Sequence, residues 1–313
     1  MGKGKIVQVN NLVTIGGTTT CAASVTAALP SFDHEILSVG PVRDDVADEL
    51  DLKARVVKGV TAADVADAAF VILNNQDASV EWPLPVPTLY WYHSRFSGQP
   101  KPGKMGHHVA WTSQWLRGDE RTVGQVVHQG VPDAGHSERG DAFTVGRIST
   151  PGMLAKYHHD EAEWWRTLEI DGATYEVITD EDAIFQSVPA VRVIPPALSA
   201  RHRLLSWHAM VVRSPITESF GRCIVEAMMA GCVPVTDRRG GPCETIIDGE
   251  TGFLCDEGEH AERVRWLAAH PDDWRRMSNA ARQHAEEHFS HEAFGRRLLT
   301  ALQITLEQWH HAA

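Results

Sequence analysis

The chain has 313 residues, of which 43% are apolar and 22% are charged. This length suits two domains, and the composition is that of a folded globular protein, which excludes a largely disordered or collagen-like chain. The formal net charge is −12, and neither residues 1–138 nor residues 139–313 hold more Lys and Arg than Asp and Glu. Binding to nucleic acid or to an anionic membrane through a basic domain is therefore not expected.

No part of the sequence predicts secretion, membrane insertion or a metal site. The charged start is followed by only a short apolar stretch, and no run approaches the ~20 apolar residues that a spanning helix needs. The cysteines number five, and no two have the two-residue spacing of a zinc site. Adjacent histidines point to different faces of an element, so the histidine pairs make poor ligand sets. We expect a cytoplasmic protein with reduced thiols.

Short apolar runs separated by Gly, Pro and Asp predict alternating strands and helices in the first half of the chain. The predicted strands are residues 5–10, 34–39, 55–57, 69–73, 88–92, 108–112 and 125–128. The predicted helices are residues 18–29, 42–50, 62–68 and 113–121. A segment dense in Gly and Pro, residues 97–106, is predicted as a loop. This alternation favours a parallel sheet that is covered on both faces.

The same alternation continues through the second half. The predicted strands are residues 143–145, 174–178, 191–194, 209–213, 233–236 and 252–254. The predicted helices are residues 161–168, 220–229, 259–269 and 272–288. A last helix follows Ser290, a candidate N-cap. Its apolar residues at helical spacing are Phe294, Leu298, Leu302, Leu306 and Trp309. Residues 129–141 are the predicted linker, so we expect domains at 1–138 and 139–290, with residues 291–313 as the last helix.

The segment 214–254 predicts a turn that can bind an anion. A strand at 209–213 ends just before it, Ser219 is a candidate N-cap, and a helix is predicted from Phe220. Gly221, in the first turn of that helix, allows a phosphate to approach closely. Because ligands bind at the carboxyl ends of parallel strands and a helix N-terminus attracts anions, this turn is a candidate phosphate site.

Two carboxylates bracket this turn. Glu218 lies just before the predicted helix, and Glu226 lies about two turns inside it, away from its apolar stripe. A sugar nucleotide has a hydroxylated ring at each end of a diphosphate, and carboxylates accept hydrogen bonds from vicinal hydroxyls. The layout therefore suits such a molecule. The residues alone leave a second interpretation open, in which Glu218 caps the helix and Glu226 is a solvated helix residue.

This segment resembles the donor-site signature of the family-4 glycosyltransferases, which are retaining enzymes of the GT-B fold. The family pattern is two Glu separated by seven residues, with Phe-Gly following the first and Ala-Met following the second. Here the pattern reads Glu218-Ser219-Phe220-Gly221 and Glu226-Ala227-Met228. The family continues with a Gly-Gly and a nearby Glu, and then with a Gly-x-x-Gly-Phe-Leu ending. These are matched by Gly240-Gly241, Glu244 and residues 249–254.

The resemblance extends to other parts of the chain. Residues 145–148 are similar to the strand-plus-Arg element that opens the family's second domain, and the Lys that follows it in the family is matched by Lys156. The resemblance implies that Arg147 and Lys156 bind the donor diphosphate. It also implies that Gly16-Gly17 form the glycine-rich turn near the donor phosphates and that His93 lies near the reacting sugar. Alternatives stay open for each of these residues. Arg147 and Lys156 can instead be read as solvated surface cations, Gly16-Gly17 as a plain turn, and His93 as a residue that caps the end of a strand.

The family resemblance also implies the architecture and the reaction. The implied fold is GT-B, with two Rossmann-like domains facing across a cleft, the first on the acceptor side and the second holding the donor. The last helix would cross back to the first domain. The implied reaction is retaining transfer of a hexosyl group from a nucleoside diphosphate sugar, with a UDP-sugar favoured, to a hydroxyl of a small-molecule or saccharide acceptor. No metal and no cofactor are expected.

The resemblance assigns a role to each residue of the candidate donor site. Glu218 would orient the hydroxyls of the donor sugar, and Glu226 would hold the ribose. Arg147, Lys156 and the helix N-terminus at residues 219–221 would stabilise the leaving diphosphate. A noncatalytic sugar-nucleotide-binding or scaffold member and a GT-B phosphorylase stay open as alternatives. An epimerase of the same fold is disfavoured by the glutamate pair. The base, the sugar, the acceptor and the oligomeric state are not given by the sequence.

Overall fold

The computed structural model describes residues 4–75, 79–94, 107–118, 123–135 and 139–312. The chain forms two compact units. The first unit consists of Met1–Gly130 and His291–Ala313, and the second is Val131–Ser290. The predicted loop at 97–106 lies outside the described residues, and so does the part of the predicted linker at 136–138.

The strands fall close to the apolar runs of the sequence. Those of the first unit are β1 Lys5–Asn10, β2 Asp33–Ser38, β3 Ala54–Val56, β4 Ala68–Asn74, β5 Thr88–Tyr92, β6 His108–Trp111 and β7 Gln125–Val126. Those of the second unit are β8 Thr144–Ile148, β9 Thr174–Ile178, β10 Val191–Ile194, β11 Ala209–Val212, β12 Val233–Asp237 and β13 Phe253–Cys255. All pairings between these strands are parallel.

Helices connect the strands. They are α1 Gly17–Ala28, α2 Asp44–Glu49, α3 Gln114–Arg117, α4 Glu161–Arg166, α5 Arg222–Met229, α6 Pro242–Thr245, α7 His260–Ala269, α8 Pro271–Phe289 and α9 His291–Ala312. Short 3₁₀ turns at Leu154–Lys156 and Ser199–Leu205, together with α6, were not among the predicted elements. None of the described helices is both long enough and apolar enough to cross a membrane.

The first unit is built on a seven-stranded sheet with the order β3-β2-β1-β4-β5-β6-β7. Every residue of β5 is buried, because both faces of the sheet are covered. Trp91 belongs to the apolar cluster that also contains residues of α1 and α9, and its ring stacks on Phe294 with centroids 5.4 Å apart. A Cβ at Gly295 would lie 2.7 Å from the Ala28 carbonyl oxygen, so glycine there lets α9 approach α1. The last helix is thereby part of the first unit.

The second unit is built on a six-stranded sheet with the order β10-β9-β8-β11-β12-β13. Alternate residues of β11 enter two apolar clusters, with Met210 facing the α5 and α8 side and Val211 facing the α4 and α7 side. Trp207 fills the space over Gly146, where an added Cβ would lie 2.0 Å from the indole ring. The carboxyl ends of β8, β11 and β12 lie at one edge of this sheet, and the candidate site is there.

The division between the units falls at 130/131, eight residues before the predicted 138/139. Val131 pairs with Ser290, and its N–H donates to the Phe289 carbonyl at 2.8 Å. Arg282 of α8 donates to Asp133 at 3.0 Å. These contacts attach the start of the predicted linker to the second unit, and the linker composition carried no sign of them.

Candidate functional site

Two of the predicted site residues meet at the carboxyl edge of the second sheet. Lys156 ends the 3₁₀ turn that follows β8, and Glu218 lies in the loop between β11 and α5. Lys156 Nζ donates to Glu218 Oε1 at 2.7 Å, and the two side chains are 18% and 20% exposed. The pair is therefore half-buried at an edge where α/β sheets bind ligands.

The Gly240-Gly241 pair supports the backbone around Glu218. The Gly241 N–H donates to the Glu218 carbonyl at 2.9 Å. A Cβ at Gly240 would lie 2.4 Å from that same carbonyl oxygen, and a Cβ at Gly241 would lie 2.3 Å from the Ser219 oxygen. Because contacts below 3.0 Å require a shift of the backbone, the turn after β12 can close on this loop only with glycine at both positions.

The turn into α5 differs from the prediction at three positions. The helix begins at Arg222, and the residue at its N-cap is Gly221, with φ 81° and ψ 51°. The prediction of Ser219 as N-cap is therefore wrong, because the left-handed residue delays the helix. Phe220 is 3% exposed and packs edge-to-face on Phe289, with centroids 5.9 Å apart. Its ring belongs to the core, so the predicted donor contact of Phe220 would have to be made by its backbone.

Glu226 is a buried carboxylate. It is 6% exposed, and its Oε1 lies 3.0 Å from Arg222 Nε and 3.2 Å from an Arg201 nitrogen. Its Oε2 is buried without a hydrogen-bond partner among the described residues. The alternative of a solvated helix residue is therefore wrong. A buried oxygen with unused lone pairs can accept hydrogen bonds from ligand hydroxyls.

Arg147 contacts protein atoms where the family pattern implies a diphosphate. Its side chain is 2% exposed, and Nη1 donates to Glu161 Oε1 at 2.9 Å and to the Arg213 carbonyl at 2.7 Å. Nη2 donates to the Lys156 carbonyl at 2.7 Å, and the guanidinium lies 4.4 Å from the Tyr157 ring centroid. The diphosphate contact of Arg147 stays a prediction, and in this structure the guanidinium holds the backbone of Lys156.

Burial and neighbouring charges set the protonation of the site. Burial lowers the pKa of Lys156, but the Glu218 carboxylate outweighs it, so the pKa is raised above its ordinary value. Burial, together with Glu218, raises the pKa of the Cys223 thiol to about 12. At neutral pH the site therefore presents an ammonium ion and a neutral thiol.

The remaining predicted residues lie in the first unit. Gly16 is the N-cap of α1 and Gly17 is its first residue, and a Cβ at either would meet no described atom within 4 Å. Among the described residues, nothing fills the space beside this turn. His93 follows β5 and is 9% exposed, with Nε2 2.9 Å from Asn74 Oδ1 and Nδ1 2.9 Å from Gln129 Nε2. Both ring nitrogens are engaged, so contact with a sugar would require one of these bonds to break.

Sequence reasoning missed two charged residues that contact the predicted site. Glu161 accepts from Arg147, and Arg201 pairs with Glu226 from a 3₁₀ turn that was not predicted. Neither pair has a spacing that marks it in the sequence. The Arg222–Glu226 pair does have such a signal, because residues four apart on a helix face each other.

Comparison with known proteins finds a family match within the second unit. Residues 199–284, which span Arg201, α5 and most of α8, match the family model of glycosyl transferases group 1. This segment of the chain is similar to that family. The two parallel α/β units of the chain have the GT-B fold, as the structural matches show.

Solved structures with the same fold cover nearly all of this chain. Anabaena Alr3699/HepE, solved in complex with UDP, has a TM-score of 0.78 and 15% identity, covering 96% of this chain and 99% of its own. A glycosyltransferase from Rickettsia africae has a TM-score of 0.72 and 15% identity, covering 98% and 100%.

Relatives that match by sequence are longer proteins. A mannosyltransferase of Dictyostelium discoideum, GDP-Man:Man(3)GlcNAc(2)-PP-Dol alpha-1,2-mannosyltransferase, is 24% identical over 62% of this chain and 39% of its own length. A sucrose synthase of Acidithiobacillus caldus is 33% identical over 30% of this chain and 13% of its own. The chain thus spans well under half the length of these relatives.

Proposed function

We propose that the chain is a retaining glycosyltransferase that moves a hexosyl group from a nucleoside diphosphate sugar to a hydroxyl acceptor without a metal ion or another cofactor. The observation that carries the proposal is the Lys156–Glu218 pair, 2.7 Å apart, beside the N-terminus of α5. It sets a cation for a leaving diphosphate next to a carboxylate for sugar hydroxyls. A cytoplasmic location is part of the same proposal.

The chemical difficulty of the reaction is the departure of an anionic leaving group. A cation and helix N–H groups that are already in place stabilise that charge as it develops. Lys156 supplies the cation, and its raised pKa keeps it charged at neutral pH. Glu218, released from Lys156 when the diphosphate binds, would orient the donor sugar. The free Oε2 of Glu226 would accept from the ribose hydroxyls.

A UDP-sugar is the favoured donor. Anabaena Alr3699/HepE, a structural match over nearly the whole chain, was solved with UDP and with UDP-glucose. The Dictyostelium relative is named for GDP-mannose, so a guanine donor is the second candidate. Acceptors are proposed only as hydroxyl-bearing small molecules or saccharides.

Calorimetric titration with UDP, GDP and ADP tests the donor site, first without divalent metal and then with Mg²⁺. We expect metal-independent binding of one nucleotide, weakened about tenfold or more by Lys156→Met and by Glu226→Gln. Matched controls are Arg276→Met and Glu163→Gln, which change exposed charges of the same unit. Failure of all three nucleotides to bind would refute the donor site.

Turnover separates an enzyme from a noncatalytic member. Incubation of the chain with UDP-glucose and a panel of saccharide acceptors should release UDP, and NMR of the product should show the anomeric configuration of the donor. Nucleotide binding without turnover on any acceptor would favour a binding or scaffold role. Phosphate-dependent reversal without nucleotide dependence would favour a phosphorylase.

A further inference from the structure

A cavity of about 430 Å³ opens at the carboxyl edge of the second sheet. This volume lies in the range of small-molecule sites. Its walls come from the residues that follow β11, β12 and β13, from the start of α7 and from α4. Lys156, Glu218 and Glu226 do not line it. The cavity is therefore a feature separate from the donor site.

Each arginine of the wall is paired with a carboxylate. Arg213 pairs with Asp160, Arg238 pairs with Asp248 at 2.7 Å, and Arg239 lies 3.4 Å from Asp237. Four carboxylates and three guanidinium groups line the cavity. Because each guanidinium already has a carboxylate partner, an anionic ligand would have to displace one of them and would meet an excess of negative charge.

Two further features of the wall suit a hydroxylated molecule. Trp164 is half-buried and offers an aromatic surface, beneath which Arg213 lies 5.7 Å from the ring centroid. His260 is 2% exposed, its Nε2 lies 3.2 Å from Asp237 Oδ1, and its Nδ1 has no hydrogen-bond partner in the described part of the chain. Burial raises the pKa of Asp237, but His260 and the Ser214 N–H outweigh it, so this carboxyl stays ionised as an acceptor.

We propose that this cavity is a binding site for an uncharged saccharide, with carboxylates and guanidinium groups bonding its hydroxyls and Trp164 packing on a sugar face. Hydroxyls both donate and accept, so they can bond paired carboxylates and guanidinium groups without displacing either partner. The site does not depend on the proposed transferase activity. We expect the saccharide to bind in this cavity whether or not a nucleotide is bound at the donor site.

Binding of defined saccharides to the full chain tests this proposal. Sucrose, methyl α-mannopyranoside and methyl α-glucopyranoside are titrated by calorimetry and by saturation-transfer NMR, with inorganic phosphate as the competing probe. Each titration is repeated on Glu226→Gln. Since that variant removes a donor-site contact, loss of nucleotide binding and loss of saccharide binding are read separately.

Asp237→Asn is expected to weaken saccharide binding about tenfold, and Trp164→Ala by a similar factor. Asp256→Asn is the safer variant for folding, because that side chain is 74% exposed, and we expect a loss of about threefold. Glu163→Gln on α4, outside the cavity, should change nothing. Saturable binding of a saccharide with this variant pattern supports the site. Absence of saturable binding, binding unchanged in the three variants, or binding of phosphate in place of the sugars would each overturn it.

Discussion

Replacement of Arg147 by Met separates the role seen in the structure from the role implied by the family pattern. The guanidinium is 2% exposed and donates to Glu161, which is 1% exposed. Met keeps much of the side-chain volume but removes the main ionic partner of Glu161. The Glu161 carboxylate then keeps only Arg213 Nη1, 3.4 Å away, and the Trp165 indole N–H, which donates to it at 3.0 Å. Removal of one partner of a buried ion pair costs about 3–5 kcal/mol of unfolding free energy. We expect a loss in this range.

Urea unfolding followed by tryptophan fluorescence gives the measurement. Arg166→Met on α4 is the control, because its exposed pair with Glu163 should contribute less than about 1 kcal/mol. The double variant Arg147→Met/Glu161→Gln should lose about 2 kcal/mol less than the sum of its single variants, since both buried charges are then absent. A stable Arg147→Met that loses nucleotide affinity as fully as Lys156→Met would refute this reasoning and restore a direct diphosphate contact.

Three further predictions concern the same unit. Lys156→Met should lower kcat/KM about 10²–10³-fold in a UDP-release assay, because the leaving group loses its cation. An equal loss of kcat/KM in Arg276→Met would contradict this prediction. Gly241→Ala should destabilise the unit by about 1–3 kcal/mol in urea, because its methyl would lie 2.3 Å from a backbone oxygen. Gly140→Ala, whose methyl would meet no described atom within 4 Å, should not. Burial, with Arg139, lowers the pKa of His208 to about 4 from an ordinary 6.5, so the unfolded chain takes up this proton first. The contribution of neutral His208 to the free energy of unfolding should be complete above about pH 6.5 and should fall by about 3 kcal/mol toward pH 4. In urea unfolding measured across this pH range, His208→Gln should make the free energy of unfolding depend less steeply on pH.

The secondary structure was predictable because local patterns dictate it. The predicted strands at 5–10, 88–92, 174–178 and 191–194 coincide with β1, β5, β9 and β10. Each is a short, mostly apolar run that is bounded by polar residues, Gly or Pro. The runs are mostly apolar because both faces of each sheet are covered. Parallel order within each sheet followed from the intervening helices.

The candidate donor-site residues could be named from the family resemblance and their donor roles stay predictions, but their contacts in the structure could not be predicted. Glu218 and Lys156 meet as a pair that no sequence spacing encodes, because they follow different strands of the sheet. Arg147 is buried by Glu161, a residue fourteen positions away that α4 brings over the end of β8. Tertiary contacts of this kind decide whether a cation faces a ligand or a carboxylate, and only the folded chain shows which.

The Gly240-Gly241 pair shows that a residue in a family motif can serve to position the backbone rather than to contact a ligand. In the sequence it matches a family pattern, and a ligand contact is the natural interpretation of a glycine-rich turn. In the structure its glycines are required by the Glu218 and Ser219 carbonyl oxygens, which leave no room for a Cβ. The turn after β12 therefore fixes the loop that carries Glu218, while Lys156 is fixed from the other side by Arg147. Both members of the ion pair are thus held by backbone contacts, which is the preorganisation that the proposed stabilisation of a leaving group would require.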